Sequence, residues 1–152
     1  MEQVTERPAL LCFSHLRWDF VWRRPQQLMT RFARNRRVYF VEEPLYEAGA
    51  GEPAREGILR VHAQPEGVVV VQPVCREPGP DEGWRLEAMY RRLLLDVVTR
   101  EGLTDYTAYF FSPMFLPAIE RLSPSVVVYD AMDELSLFKG ASDFSEPKCY
   151  AC

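Results

Sequence analysis

Short apolar runs alternate along the chain with segments of helical period. Residues 8–14 (P-A-L-L-C-F-S) form a continuous apolar run, which is typical of a central parallel strand buried on both faces. Residues 25–34 then carry apolar side chains at helical spacing behind Pro25, a residue suited to a first helical turn. Residues 37–41 (R-V-Y-F-V) return to a strand pattern. This part of the chain therefore predicts a β-loop-α-β unit with parallel strands.

The same alternation continues to residue 129. It predicts strands at 58–62 and 67–72 that could pair as a hairpin, a helix at 84–100 that stops at Gly102, a strand at 106–111, a short helix opened by Ser112 and Pro113, and a strand at 125–129. Residues 46–56 and 73–83 are rich in glycine and proline and are predicted to be loops. The order of elements predicts an α/β fold, a Rossmann-like doubly wound domain with a mostly parallel sheet.

Composition narrows the class of protein. The 152 residues are enough for one domain, and 47% of them are hydrophobic. A formal net charge of −4 gives no support for non-specific binding to nucleic acid, which is not an expected partner. No apolar run approaches the roughly 20 residues of a membrane-spanning helix, and residues 1–8 lack the pattern of a signal peptide. We therefore expect a cytoplasmic protein.

Four cysteines offer little chemistry. Cys12 and Cys75 lie in apolar, strand-like runs and are expected to be buried free thiols. Cys149 and Cys152 form a lone C-x-x-C at the end of the sequence. A zinc site would need two more ligands, and a redox pair should open a helix, so no metal centre is predicted.

The candidate site lies at the carboxyl ends of the predicted parallel strands, where open α/β sheets bind ligands. Three polar segments follow such ends: residues 14–26, 112–115 and 130–134. The first places Arg17, Arg23 and Arg24 close to the start of a helix, where guanidinium groups and free backbone N–H groups favour phosphate. Trp18 offers a flat face to a sugar ring or a base. The alternative, in which the aromatic side chains are packing residues and the arginines are solvated, stays open.

Other side chains in these segments could take part in chemistry. His15 could act as a base or contact a hydroxyl, or it could be structural. Asp130, Asp133 and Glu134 could bind hydroxyls or act as a base, although an aspartate here could instead cap a helix. Ser112 follows the strand at 106–111 and is a further candidate for substrate binding.

Several enzyme classes lack their signatures in this sequence. No G-x-G-x-x-G follows the first strand, which disfavours nicotinamide and flavin enzymes, including flavin-dependent sugar mutases. The phosphate-binding G-x-x-x-x-G-K-[ST] loop and the G-x-S-x-G nucleophile elbow are also absent, which disfavours P-loop enzymes and α/β-hydrolases.

Three strings resemble a group of bacterial GT-B glycosyltransferases, similar to the large retaining family known as group 1 or family 4. They are F-S-H-L-R-W-D-F-V-W-R-R-P-Q-Q-L (13–28), V-Y-F-V-E-E-P (38–44) and Y-D-A-M-D-E-L-S-L-F-K-G-A (129–141). The resemblance extends over residues 9–141 and implies transfer of a sugar from a nucleotide-diphosphate donor to a glycan, lipid or small-molecule acceptor. It also implies no essential metal or other cofactor, because protein cations and helix dipoles stabilise the leaving diphosphate.

The resemblance also assigns roles to the candidate residues. Those near phosphate would be Arg17, Arg23, Arg24 and Gln26. Those near the acceptor or the transferred sugar, with catalytic roles, would be His15, Asp130 and Asp133.

The sequence departs from the family pattern in its length. Residues 1–141 match the acceptor-side domain, and residues 142–152 are expected to be an irregular tail. The second, donor-binding domain is missing, so we expect a truncated or isolated domain that is not competent alone and needs that domain as a partner. The alternative is a non-catalytic sugar- or phosphate-binding module with the same fold. Either leaves room for peripheral contact with a membrane.

Overall fold

A mostly parallel sheet forms the centre of the protein in a computed structural model that describes residues 7–47, 57–112 and 115–131. The elements are β1 (Ala9–Ser14), α1 (Arg24–Phe32), β2 (Val38–Glu42), β3 (Leu45–Tyr46), β4 (Ile58–Ala63), β5 (Val68–Cys75), α2 (Gly83–Arg100), β6 (Tyr106–Phe110), α3 (Leu116–Ile119) and β7 (Val126–Tyr129). The expected tail, 142–152, lies outside the described residues, as do the C-x-x-C cysteines. Among the described residues no helix is long and apolar enough to cross a bilayer.

Strand β1 lies in the middle of the sheet. It pairs in parallel with β2 on one side and with β6 on the other, and the parallel order across the sheet is β5-β2-β1-β6-β7. All six residues of β1 are buried, which explains why its sequence shows no polar alternation. The predicted α/β, Rossmann-like fold with a mostly parallel sheet is confirmed.

The two faces of the sheet are covered by different helices. Leu11 and Phe13 of β1 point to the face packed by α2, whereas Leu10 and Cys12 point to the face packed by Met29 of α1. Successive side chains of a strand point to opposite faces of the sheet, so neighbouring residues of β1 belong to different faces. Two apolar clusters result, one on each side of the sheet.

Glycines shape two of the connections. Helix α2 ends in a Schellman motif: Gly102 has a φ of +60°, and the N–H of Leu103 donates to the carbonyl of Val98 at 2.9 Å. The predicted hairpin is also confirmed, since β4 and β5 pair in antiparallel fashion around a turn in which Gly67 has a φ of +82°. Both glycines adopt the left-handed conformation that other residues rarely take.

Two details differ from the sequence prediction. Strand β5 continues through Pro73 to Cys75, where a loop was expected. The pairing of β5 with β2 ends at Val71, so β2 does not need an N–H from Pro73. Pro73 is paired with β4, and the N–H that proline lacks is tolerated there. The two-residue strand β3 also lies at the edge of a segment predicted to be loop, and it is too short to give a periodic signal.

Two neighbouring leucines of α2 allow a test of which face of the helix packs against the core. Leu94 is fully buried and Leu95 is 43% exposed. We expect Leu94→Ala to lower the free energy of unfolding by about 2–5 kcal/mol, because it removes buried methyl groups and leaves a cavity. The matched variant Leu95→Ala should change it by less than about 0.5 kcal/mol. Urea denaturation measures both, and equal losses would contradict the assignment of the buried face.

Candidate functional site

The chain reverses direction across the sheet next to β1. After β1 it builds outward through β2 and β5, and then α2 returns it to the opposite side for β6 and β7. The carboxyl ends of β1 and β6 therefore flank a topological switch point, the place where such sheets form a ligand crevice. The segments that follow β1, β6 and β7 all open at this edge.

Arg24 and Asp130 meet across this edge. The Arg24 guanidinium Nη1 lies 2.9 Å from Asp130 Oδ1, joining the first turn of α1 to the residue after β7. The other carboxylate oxygen of Asp130 accepts a hydrogen bond from the Tyr109 hydroxyl at 2.5 Å. The Asp130 side chain is mostly buried, at 12% exposure, while that of Arg24 is 56% exposed. An accessible cation therefore sits above a fixed carboxylate.

The electrostatics around Tyr109 follow from this contact. Burial and the hydrogen bond to Asp130 raise the pKa of Tyr109 well above its ordinary value, and the positive charge of Arg24 only partly opposes them. Asp130 also acts on the buried thiol of Cys12, whose pKa is raised chiefly by burial. Tyr109 and Cys12 therefore stay protonated at neutral pH, and the negative charge of the cluster resides on Asp130.

Arg17 is directed away from this cluster, toward the end of β2. Its guanidinium lies 3.0 Å from Glu42 Oε2 and donates to the carbonyls of Glu43 and Pro44 at 2.8 and 3.3 Å. Glu42 is itself buried and also accepts a hydrogen bond from the Trp18 backbone N–H at 2.8 Å. Most donors of Arg17 are thus directed to the protein, and the residue fixes the loop after β1 against β2.

Gln26 organises the same loop from the other side. Its side chain is fully buried, and its Oε1 accepts the backbone N–H of Arg23 at 3.1 Å. Its Nε2 donates to the carbonyls of Arg17, Trp18 and Val21 at 3.2–3.3 Å. A single buried amide therefore satisfies backbone groups along the loop that connects β1 to α1. It reaches no solvent, and its predicted contact with phosphate would require the loop to open.

The aromatic residues of the loop divide into buried and exposed ones. Trp18 is 3% exposed and packs edge-on against Phe40 of β2, with ring centroids 5.1 Å apart. Phe20 and Trp22 are 65% and 47% exposed. The sequence left packing and ligand binding open for these rings; Trp18 is a packing residue in this structure, and its predicted contact with substrate remains untested.

His15 lies at the end of β1, half-buried, near Glu43. Its Nδ1 is buried and has no hydrogen-bond partner among the described residues. Burial raises the pKa of Glu43, and the nearby side chains of His15 and Arg17 partly offset that rise. This unpartnered imidazole nitrogen is enclosed by the protein, so a ligand hydroxyl would reach it only if the loop after β1 moved.

The structure thus brings some of the predicted site residues together and separates others. Arg24 and Asp130 are in contact, Arg23 is exposed beside them at the start of α1, and Ser112 is buried at the end of β6. Arg17 belongs to the β2 side of the edge. Asp133 and Glu134 lie outside the described residues.

Sequence reasoning did not include Tyr109, Glu42 or Glu43 in the site. Tyr109 lies within a strand, and its only signal was a polar hydroxyl on an otherwise apolar run. Glu42 and Glu43 directly follow β2 at the same edge of the sheet, so the rule that drew attention to Asp130 also applied to them.

Comparison of the chain with protein-family models, with curated proteins and with solved structures finds no match in any of the three. The functional argument therefore rests on the residues and their geometry.

The Gln26 amide can be tested against its exposed neighbour Gln27. We expect Gln26→Leu to lower the free energy of unfolding by about 1–3 kcal/mol, because backbone groups of the loop lose their buried partner. Trypsin should also cleave faster after Arg17 or Arg23, since the loop is less ordered. Gln27→Leu should change neither measurement appreciably. Equal behaviour of the two variants would mean that the amide does not hold the loop.

The contact between Asp130 and Tyr109 predicts a specific titration. In Asp130→Asn the pKa of Tyr109 should fall, because the neutral amide no longer opposes the phenolate. Glu101→Gln should instead lower the pKa of Tyr39, which burial and a hydrogen bond to Glu101 raise to about 12. NMR of proteins labelled at the tyrosine Cζ follows the onset of each ionisation in alkaline solution.

Each variant in that titration is the control for the other. Asp130→Asn should leave Tyr39 unchanged, and Glu101→Gln should leave Tyr109 unchanged. Because both folded-state pKa values lie above the unfolded value near 10, the contribution of each tyrosine to stability is present below that pH and is lost as pH rises through the folded pKa. A Tyr109 titration unaffected by Asp130→Asn would refute the contact.

Proposed function

We propose that this chain is the acceptor-side, Rossmann-like domain of a GT-B glycosyltransferase, which transfers a sugar from a nucleotide-diphosphate donor to an acceptor hydroxyl. The proposal begins with the resemblance of residues 13–28, 38–44 and 129–141 to that family. The parallel sheet with its switch point beside β1 is the architecture that the proposal requires. In the proposal a second domain supplies most of the donor site.

The contact between Arg24 and Asp130 carries the argument. These residues are 106 positions apart in the chain and belong to two of the resembling strings, and their side chains lie 2.9 Å apart at the carboxyl edge of the sheet. A cation at a helix start and a mostly buried carboxylate next to the switch point suit a ligand that has both phosphate and hydroxyl groups.

The ion pair suggests how the two groups would work together. A donor diphosphate would compete with Asp130 for Arg24, with Arg23 and the first N–H groups of α1 adding positive potential. Asp130, released from Arg24 but still held by Tyr109, would then accept a hydrogen bond from an acceptor hydroxyl. In the proposal His15, whose buried Nδ1 has no partner among the described residues, would bind a second hydroxyl or take its proton once the loop after β1 moved.

This exchange predicts opposite effects for two variants. Arg24→Ala should weaken binding of uridine diphosphate or inorganic pyrophosphate by about tenfold, the value expected for one charge-assisted hydrogen bond. Asp130→Asn should strengthen binding, because Arg24 loses its internal competitor. Arg100→Ala removes an exposed arginine at the end of α2, near the opposite edge of the sheet, and should have no effect. Isothermal titration calorimetry measures all three.

Two results would count against the proposal. If Arg24→Ala and Arg100→Ala bind the diphosphate alike, Arg24 does not bind phosphate. If Asp130→Asn weakens binding as much as Arg24→Ala does, the carboxylate is a structural support rather than a competitor.

Catalysis is tested separately from binding. Transfer of radiolabel from a panel of nucleotide sugars to glycan and lipid acceptors, with loss in His15→Ala and Asp130→Asn, would support the enzyme. Because the second domain would supply most of the donor site, this chain alone is expected to bind diphosphate without turnover, and any turnover by it would exclude the non-catalytic module. Absence of diphosphate binding by this chain would exclude the proposed phosphate-binding role of this edge.

A further inference from the structure

Three consecutive apolar side chains project from the loop between β1 and α1. Phe20, Val21 and Trp22 are 65%, 52% and 47% exposed, and they are referred to as the aromatic tip. The buried half of the same loop is fixed by Gln26, Glu42 and Trp18, so the tip is a supported projection. Contiguous exposed apolar side chains on an ordered loop commonly mark an interaction surface.

A basic surface adjoins the tip. Residues 15–37 contain seven arginines and one acidic residue, Asp19, in a chain whose net charge is −4. Arg23, Arg31 and Arg34 are exposed, and none of them forms an ion pair within the described part of the chain. They are referred to as the arginine stripe, and they follow the outer side of α1 over roughly 16 Å at 1.5 Å per residue.

The tip and the stripe lie on the same side of the sheet. Trp22 packs edge-on against Trp18, with ring centroids 5.5 Å apart. Trp18 in turn belongs to the apolar cluster formed by Met29 of α1 and Phe40 of β2. The tip is therefore placed at the amino-terminal end of the helix whose outer side carries the stripe.

We propose that this surface docks on an anionic phospholipid bilayer. Phe20 and Trp22 would enter the boundary between headgroups and acyl chains, where aromatic side chains are favoured, and the arginine stripe would lie against anionic headgroups. The charge of the stripe complements such a membrane, and each arginine near the surface increases binding about fivefold. Duplex nucleic acid would also attract the arginines, but its exterior presents phosphates and sugars and offers no apolar phase to Phe20, Val21 and Trp22.

This inference does not rest on the proposed function. The variants that test it alter Phe20, Trp22, Arg31 and Arg34, none of which is assigned to the phosphate, the sugar or the acceptor. Loss of membrane binding and loss of diphosphate binding are therefore separate observations.

The first test is co-sedimentation of the chain with vesicles. Binding is expected to vesicles of phosphatidylcholine with 30 mol% phosphatidylglycerol, about tenfold or more above binding to phosphatidylcholine alone. Arg31→Gln with Arg34→Gln should weaken binding about 25-fold, and Phe20→Ser with Trp22→Ser roughly tenfold. Sodium chloride at 0.5 M should weaken binding of the unaltered chain, because it screens surface charge.

Matched variants elsewhere on the surface separate this site from general stickiness. Arg100→Gln with Arg121→Gln removes the same charge from exposed positions outside the stripe and should leave binding unchanged, apart from a small non-specific effect. Trp84→Ser removes a 62% exposed tryptophan that lies beside Arg85 at the start of α2, and it should also leave binding unchanged.

The second test locates the contact. Brominated phospholipids should quench tryptophan fluorescence of the chain, and the quenching should be lost in Trp22→Ser but kept in Trp84→Ser. Equal binding to neutral and anionic vesicles, or equal effects of the stripe variants and their controls, would overturn the proposal. So would binding to a DNA duplex as tight as to vesicles that is insensitive to Phe20→Ser with Trp22→Ser, which would assign the stripe to nucleic acid.

Discussion

Complete burial of β1 constrains the rest of the molecule. The strand is covered by a helix on each face and by a parallel partner on each edge, so its backbone polar groups are paired inside the sheet. A strand in that position can carry no polar side chain along its length without a partner. Polar chemistry is displaced to its carboxyl end, where the buried Ser14 ends the strand and the half-buried His15 follows beside the switch point. Each candidate group described here lies near that end because parallel neighbours end at the same edge.

Two carboxylates at this edge each form an ion pair with one arginine. Glu42, buried at the end of β2, binds Arg17 and the backbone of Trp18, and Asp130, beyond β7, binds Arg24. The pairs differ in exposure: the Arg17 side chain contacts three acceptors and is 36% exposed, whereas that of Arg24 is 56% exposed. An exposed ion pair contributes little to stability, so Arg24 can exchange Asp130 for a ligand at small cost. The Glu42 pair is better suited to holding the loop.

Periodicity predicted the strands and helices because burial on one or two faces leaves a regular pattern in the sequence. Residues 8–14 and 84–100 were assigned almost to the residue, whereas β3 was missed because two residues have no period. The convergence of Arg24 and Asp130 on one edge followed from parallel topology alone. The partner of Arg17 could not be predicted from topology. Arg17 and Arg24 belong to the same segment after β1, and only the direction of each side chain decides which carboxylate it contacts. Burial of Gln26 was equally beyond prediction, because a glutamine next to Pro25 has no feature that separates it from Gln27.

The loop after β1 serves two surfaces because its side chains alternate between inward and outward positions. Trp18 and Gln26 point inward and hold the loop in place, which leaves Phe20 and Trp22 to project outward. Holding exposed aromatic side chains in this way favours binding. The conformational entropy of the loop is lost on folding rather than on association, so insertion of the tip into a bilayer would need little further ordering. The tip would then hold the outer side of α1 against the headgroups, while the pair of Arg24 and Asp130 lies at the carboxyl edge of the sheet. A lipid-linked acceptor would reach this edge by lateral diffusion in the membrane, which connects the basic, aromatic surface to the proposed transfer, with Arg23 belonging to both.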